Sequence, residues 1–135
     1  MSRGAARALM LLPGRFVVCR FPPDAPLPAW LFHESAEVWS ITRTPDELSV
    51  VCDEDDVPPS VEAAPLRFRA FRVAGPIPFD EIGVIAGLSA PLAAARVPVF
   101  VLSTHDTDLV LVPEEELEAA RAAWAGASIE VRDPA

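Results

Sequence analysis

Residues 75–92 read GPIPFDEIGVIAGLSAPL, and this segment governs how the second half of the chain folds. The preceding segment 68–73, with apolar residues at Phe68, Ala70, Phe71 and Val73, predicts a strand, which ends at the Gly-Pro pair. Apolar side chains then recur at helical spacing, so we predict a helix that starts at Asp80 or Glu81. Pro91 lies inside the pattern, where a proline should bend the helix or mark its true start. One face of the predicted helix carries Ile82, Ile85, Leu88 and Leu92.

Downstream of this segment the pattern indicates two strands, a helix and a last strand. Residues 99–102 and 109–112 are apolar runs joined by the polar residues 103–108, which predicts a hairpin. A helix is predicted over 113–126, with proline at its first position and three glutamates in its first turn. Residues 128–131 predict the final strand. The order strand, helix, strand, strand, helix, strand is typical of an α+β, ferredoxin-like fold.

The first half of the chain contains a similar hairpin but weaker helical patterns. Strands are predicted over 16–21, 37–43 and 48–52, the last two joined by a turn at 44–46. Residues 24–34 have apolar side chains at helical spacing but also two prolines, which predicts a short, irregular helix.

An internal match links the two halves. A shift of 61 residues superimposes residues 38–55 on residues 99–116, with identical pairs such as Leu48 with Leu109. This match indicates a duplication. It predicts two βαββαβ-like halves with antiparallel sheets, the first of them with degenerate helices.

Composition and charge indicate a globular protein and argue against nucleic-acid and membrane partners. A chain of 135 residues corresponds to about one domain, and 51% hydrophobic residues with 23% charged ones are typical of a globular protein. The net charge of −9 disfavours binding to nucleic acids and to anionic membranes. The apolar residues 8–12 are too few for a signal peptide, so we expect a cytoplasmic protein without a membrane partner.

Motifs that would indicate catalysis or metal binding are missing from the sequence. The two histidines, His33 and His105, form no HxH or HExxH pattern, and no glycine-rich phosphate loop is present. Cys19 and Cys52 match no CxxC spacing, so they are either buried free thiols or a disulfide. We therefore expect no catalytic residues, no cofactor and no metal, and hence a protein that is not an enzyme.

Two polar segments could bind a small molecule. The strand–helix junction 75–84 would present unpaired N–H groups to an anion, and Gly83 would allow close approach to the backbone. The hairpin tip 103–108 carries hydroxyls, an imidazole and two carboxylates. Together the two segments suit a zwitterion. The alternative is purely structural, with a helix cap by Asp80 and a hydrogen-bonded turn through residues 103 and 106.

These same segments carry a resemblance to a known family. Residues 75–117, including the Phe-Asp-Glu-x-Gly loop and the Ser-Thr-x-x-x-Asp hairpin, resemble the ACT domains of the CASTOR-type arginine sensors and their small bacterial relatives. A weaker resemblance covers 42–52. It implies tandem ACT-like modules over residues 14–65, with degenerate helices, and 66–133.

The resemblance also implies a function and a site. ACT modules of this kind bind an amino acid between modules, without catalysis. Glu81 and Asp108 would receive a cationic side chain or the α-ammonium, and N–H groups from Gly83 to Ile85 would hold the α-carboxylate. His105 stands where the sensors usually carry an aromatic residue. The implied site residues are Phe79, Glu81, Gly83, Val84, Ile85, Thr104, His105 and Asp108.

The expected partner is a free amino acid, with a basic one such as arginine as the candidate, held between residues 76–85 and 103–108. The chain has half the modules of the animal sensors, so we expect a homodimer. Two alternatives remain open: a ligand-free dimeric interaction module, and a regulatory subunit of an amino-acid biosynthetic enzyme.

Overall fold

The computed structural model describes residues 7–34 and 36–134, and the chain divides into two units. The larger unit consists of the N-terminal residues up to Pro13 together with the chain from Arg69 onward, and the smaller unit is Gly14–Phe68. The strands and α-helices of the described residues are β1 (Leu9–Leu11), β2 (Phe16–Phe21), β3 (Ser40–Arg43), β4 (Leu48–Asp53), β5 (Phe68–Val73), α1 (Val84–Ala94), β6 (Phe100–Ser103), β7 (Asp108–Pro113), α2 (Leu117–Gly126) and β8 (Val131–Arg132).

The larger unit has the predicted order of elements. From β5 onward it runs β5, α1, β6, β7, α2, β8, and the sheet order is β8-β1-β5-β7-β6. This α+β, ferredoxin-like arrangement confirms the fold class. Strand β1 was not predicted; it lies between β5 and β8, antiparallel to β5 and parallel to β8. Its three residues are too few to produce a readable alternation.

The core of the larger unit joins both helices to the sheet. Trp124 of α2 is fully buried and packs edge-on against Phe71 of β5, with ring centroids 4.8 Å apart. Its indole N–H donates to the carbonyl oxygen of Leu88 at 2.9 Å, which ties α2 to α1. Leu92 and Val73 complete the same buried cluster. The position of α1, and with it the strand–helix junction, therefore depends on Trp124.

Helix α1 begins later than the sequence pattern indicates. It starts at Val84, not at Asp80 or Glu81, because Gly83 has a left-handed backbone with φ of 88° that no α-helix contains. Ile82 therefore lies outside the helix and is 83% exposed, although the periodicity placed it on the buried face. Pro91 lies within the helix, so it does not mark the helix start.

In its described residues the smaller unit contains three strands, β2 to β4, and two short 3₁₀ turns. Its strands pair antiparallel in the order β3-β4-β2. The irregular helix predicted over 24–34 is a single 3₁₀ turn, Ala29–Leu31, and a second turn spans Glu54–Asp56. Its described residues contain no α-helix, as expected for a half with degenerate helices.

The register of the two hairpins corrects the internal match. Ser40 pairs with Val51 in the smaller unit, and sixty positions later Phe100 pairs with Leu111 in the larger one. The structural offset is therefore 60 residues, not the 61 that the sequence match indicates. A slip of one residue moves every side chain to the other face of a strand. Asp108 consequently corresponds to Leu48, which is fully buried, and not to Glu47.

No helix in the described part of the chain is both long enough and apolar enough to cross a membrane.

The two cysteines of the smaller unit are buried free thiols. Burial, followed by the neighbouring Cys19, Asp56 and Asp53, raises the pKa of Cys52 from 9.0 to about 12. Burial also raises the pKa of Cys19. Because the thiolate is the reactive form, we expect no reaction with DTNB at pH 8 in the folded protein and two equivalents after denaturation. Rapid labelling of the folded protein would contradict this burial.

The raised pKa of Cys52 also predicts how stability depends on pH. The unfolded thiol ionises near pH 9, whereas the folded one holds its proton to about pH 12. The free energy of unfolding should therefore fall as the pH rises through this window. Urea denaturation at several pH values measures this effect. Between pH 9 and pH 12 the free energy of unfolding should fall more steeply with pH for the wild type than for Cys52→Ala.

Candidate functional site

A cleft of about 480 Å³ in the larger unit brings the two polar segments together. One wall comes from residues 77–79, 81 and 83–86 around the start of α1, and the other from residues 103–105, 107 and 108 at the β6–β7 hairpin tip. Every residue that the resemblance implied for the site lines this cleft, namely Phe79, Glu81, Gly83, Val84, Ile85, Thr104, His105 and Asp108. Their role in binding stays a prediction.

Two hydrogen bonds hold the walls of the cleft in place. The Ile77 N–H donates to the carbonyl oxygen of Asp106 at 2.7 Å, and the Thr107 hydroxyl donates to the carbonyl oxygen of Val73 at 2.6 Å. Gly75 permits this approach, because a Cβ there would lie 3.1 Å from the Asp106 carbonyl oxygen. One backbone and one side-chain hydrogen bond thus fix the hairpin to the segment that leads into α1.

The start of α1 presents backbone N–H groups to the cleft. Gly83 is the N-cap and supplies no side-chain hydrogen bond, so the cap by Asp80 that the structural alternative required is absent. The first helical bond runs from the Gly87 N–H to the Gly83 carbonyl oxygen, at 2.9 Å. The N–H groups of Val84, Ile85 and Ala86 therefore precede the hydrogen-bonded turns, and all three residues line the cleft. Such groups favour an anion.

The hairpin tip positions one carboxylate at the cleft. The Thr104 N–H donates to the Thr107 carbonyl oxygen at 2.8 Å and closes the turn. The Ser103 hydroxyl donates to Oδ1 of Asp108 at 2.7 Å, which orients this carboxylate without neutralising its charge. The turn predicted through residues 103 and 106 is instead closed by Thr104 and Thr107, while the Asp106 carboxylate contacts Nδ1 of His105 at 2.9 Å.

An aromatic pair lies at the edge of the cleft. The rings of Phe79 and His105 meet edge to face, with centroids 4.9 Å apart. Phe79 is 79% exposed despite its size. This contact spans the two walls, so a ligand in the cleft would meet an aromatic surface.

Arg7 contacts one of the cleft residues, Glu81, and this contact was not predicted from the sequence. Its Nε donates to Oε2 of Glu81 at 3.3 Å, its Nη2 contacts Oε1 of the same carboxylate, and its Nη1 donates to the Ala74 carbonyl oxygen at 3.3 Å. Glu81 is thus already paired with a guanidinium of its own chain. No local sequence pattern predicts this contact, because the two residues are 74 positions apart and come together only in the folded chain.

Comparison with known proteins agrees with this architecture. The family model described as the ACT domain matches residues 63–123, which contain both walls of the cleft. The chain therefore contains an ACT domain over these residues. A second family model, for an N-terminal domain, matches residues 14–60.

Two solved structures are similar to this chain over nearly its whole length. A crystal structure of the protein Atu0741 from Agrobacterium tumefaciens is 33% identical, with a TM-score of 0.87 over 97% of this chain and 96% of that one. The regulatory subunit of aspartate kinase from Thermus thermophilus, in its ligand-free form, shares the fold at 18% identity, with a TM-score of 0.65 over 91% and 99% of the two chains.

A curated relative is similar to a shorter part of the chain. The rat cytosolic arginine sensor for mTORC1 subunit 1 is 43% identical over 51 residues, which are 37% of this chain and 15% of the sensor. The chain therefore spans a small part of that relative.

Proposed function

We propose that the protein binds a free α-amino acid in the cleft of its ACT domain and acts as a sensor or regulatory module, not as an enzyme. One observation carries this proposal: a single cleft holds both unpaired N–H groups at a helix start and the negatively charged Asp108. The α-carboxylate would accept from the N–H groups of residues 84–86, and the α-ammonium would donate to Asp108. These are the two charged groups that all free amino acids share.

The dimensions of the cleft and the comparisons support this proposal. A volume of about 480 Å³ lies within the range of small-molecule sites. The relatives are named an arginine sensor and a regulatory subunit of aspartate kinase. We propose a similar regulatory role for this protein. It would act as a cytoplasmic module whose ligand changes its contacts with a second copy or with a partner enzyme of amino-acid biosynthesis.

A thermal-shift screen against the twenty amino acids at millimolar concentration tests the proposal. A ligand at 100 times its dissociation constant stabilises the folded state by about 2.7 kcal/mol, which should raise Tm by roughly 8 °C or more at this chain length. We expect one amino acid, or a small chemical class, to respond. No response from any of the twenty would refute amino-acid binding.

A second candidate function is a ligand-free dimeric interaction module. The exposure of Phe79 and Ile82, at 79% and 83%, favours it, because large apolar side chains of this kind often mark protein contacts. Sedimentation velocity distinguishes the two functions. An interaction module should dimerise with or without amino acids, whereas a sensor should change its mass or partner contacts when the ligand is added.

A further inference from the structure

The charges at the cleft are not equivalent. Two carboxylates line it, those of Glu81 and Asp108. Arg7 binds both oxygens of Glu81, whereas Asp108 accepts from the neutral hydroxyl of Ser103. Among the described residues, no cationic side chain pairs with Asp108. The cleft therefore offers one uncompensated negative charge, not two.

A ligand with a cationic side chain would need a second free carboxylate. A basic amino acid carries two positive charges, and desolvating an unpaired charge in a protein site is costly. Asp108 can receive one of them. The other would have to displace Arg7 from Glu81, where the guanidinium is held by contacts with both carboxylate oxygens and with the Ala74 carbonyl oxygen.

We propose that Arg7 determines the specificity of the cleft: by occupying Glu81 it excludes basic amino acids, so that the ligand is an α-amino acid with an uncharged side chain. This inference rests on the proposed function and replaces arginine as the candidate ligand. The rest of the lining agrees with it, since Ile77, Phe79, Val84 and Ile85 present apolar surface.

Titration calorimetry with the full chain tests the role of Arg7. Wild type should bind at least one of leucine, methionine, phenylalanine or glutamine about tenfold or more tightly than arginine or lysine. Arg7→Gln frees Glu81 and should improve arginine affinity by about tenfold, since close charge pairs in binding sites contribute on this scale. The double variant Arg7→Gln/Glu81→Gln should lose that gain, which assigns it to the freed carboxylate.

Arg121→Gln is the matched control. Arg121 forms a guanidinium–carboxylate pair with Asp133 at 2.8 Å and is buried to a similar extent as Arg7, but lies outside the cleft lining. Its replacement should leave the preference among amino acids unchanged. Circular dichroism of each variant confirms that the chain still folds.

The outcomes separate this inference from the proposed function. If wild type binds arginine most tightly and Arg7→Gln changes nothing, the role of Arg7 is refuted while amino-acid binding stands. If wild type and Arg7→Gln bind no amino acid at all, both fail together. A gain in arginine affinity that persists in the double variant would also overturn the role assigned to Glu81.

Discussion

Replacing Trp124 by alanine is expected to lower the free energy of unfolding by about 3–5 kcal/mol. The side chain is fully buried, packs edge-on against Phe71 and donates its indole N–H to the Leu88 carbonyl oxygen. Alanine would remove the ring from the cluster that holds α1 and α2 together, and leave a cavity. Thermal denaturation followed by circular dichroism should show a decrease in Tm of about 10 °C or more.

Two further variants identify the cause of that loss. Trp124→Phe keeps most of the ring but removes the N–H donor, so it should cost less than the alanine variant. Trp39→Ala removes a tryptophan that is 39% exposed and contacts Phe32, and it should cost only about 1 kcal/mol. If Trp124→Ala and Trp39→Ala lowered the free energy of unfolding equally, the burial of Trp124 would not be the source of its contribution to stability.

Replacing Asp108 by asparagine is expected to weaken amino-acid binding by about 10- to 100-fold. The substitution removes the single uncompensated negative charge of the cleft, but asparagine can still accept from the Ser103 hydroxyl at 2.7 Å. The hairpin should therefore keep its shape and stability, while the α-ammonium of the ligand loses its charged partner. Titration calorimetry with the amino acid that gives the largest thermal shift measures the effect.

Asp106→Asn is the control for Asp108→Asn. Asp106 lies on the same hairpin tip, but its carboxylate is 76% exposed and the residue does not line the cleft. Both substitutions change the net charge equally, so a general electrostatic effect would weaken binding in both variants. Unchanged affinity in Asp108→Asn would remove this residue from the proposed site.

Most strands of the fold could be predicted from the sequence because their signals are local. Strands β2, β4 and β5 lie within one residue of the predicted segments, since segments rich in aromatic or β-branched residues and bounded by proline, glycine or turn residues have few alternatives. The order of elements in the second half then determined the fold class. The two segments that line the cleft were also predicted, because an N–H-rich helix start and a polar hairpin tip carry local chemistry.

The start of α1 and the register of the hairpins could be determined only from the structure. Periodicity could not show that Ile82 faces solvent. The left-handed conformation of Gly83 delays the start of α1 to Val84, so Ile82 lies outside the helix. The sequence match at an offset of 61 paired chemically similar residues, whereas the hydrogen-bonded register pairs residues at an offset of 60. Side-chain similarity alone does not distinguish neighbouring registers in a short apolar hairpin.

The sequence by itself determined the α+β class, the hairpin and helix junction that supply the cleft, and a family resemblance. Only the tertiary structure decided how β1 enters the sheet and which carboxylate of the cleft remains unpaired. The physical reason is distance along the chain. Arg7 neutralises Glu81 across 74 residues, and no local propensity or spacing encodes such a contact until the strands between them have paired.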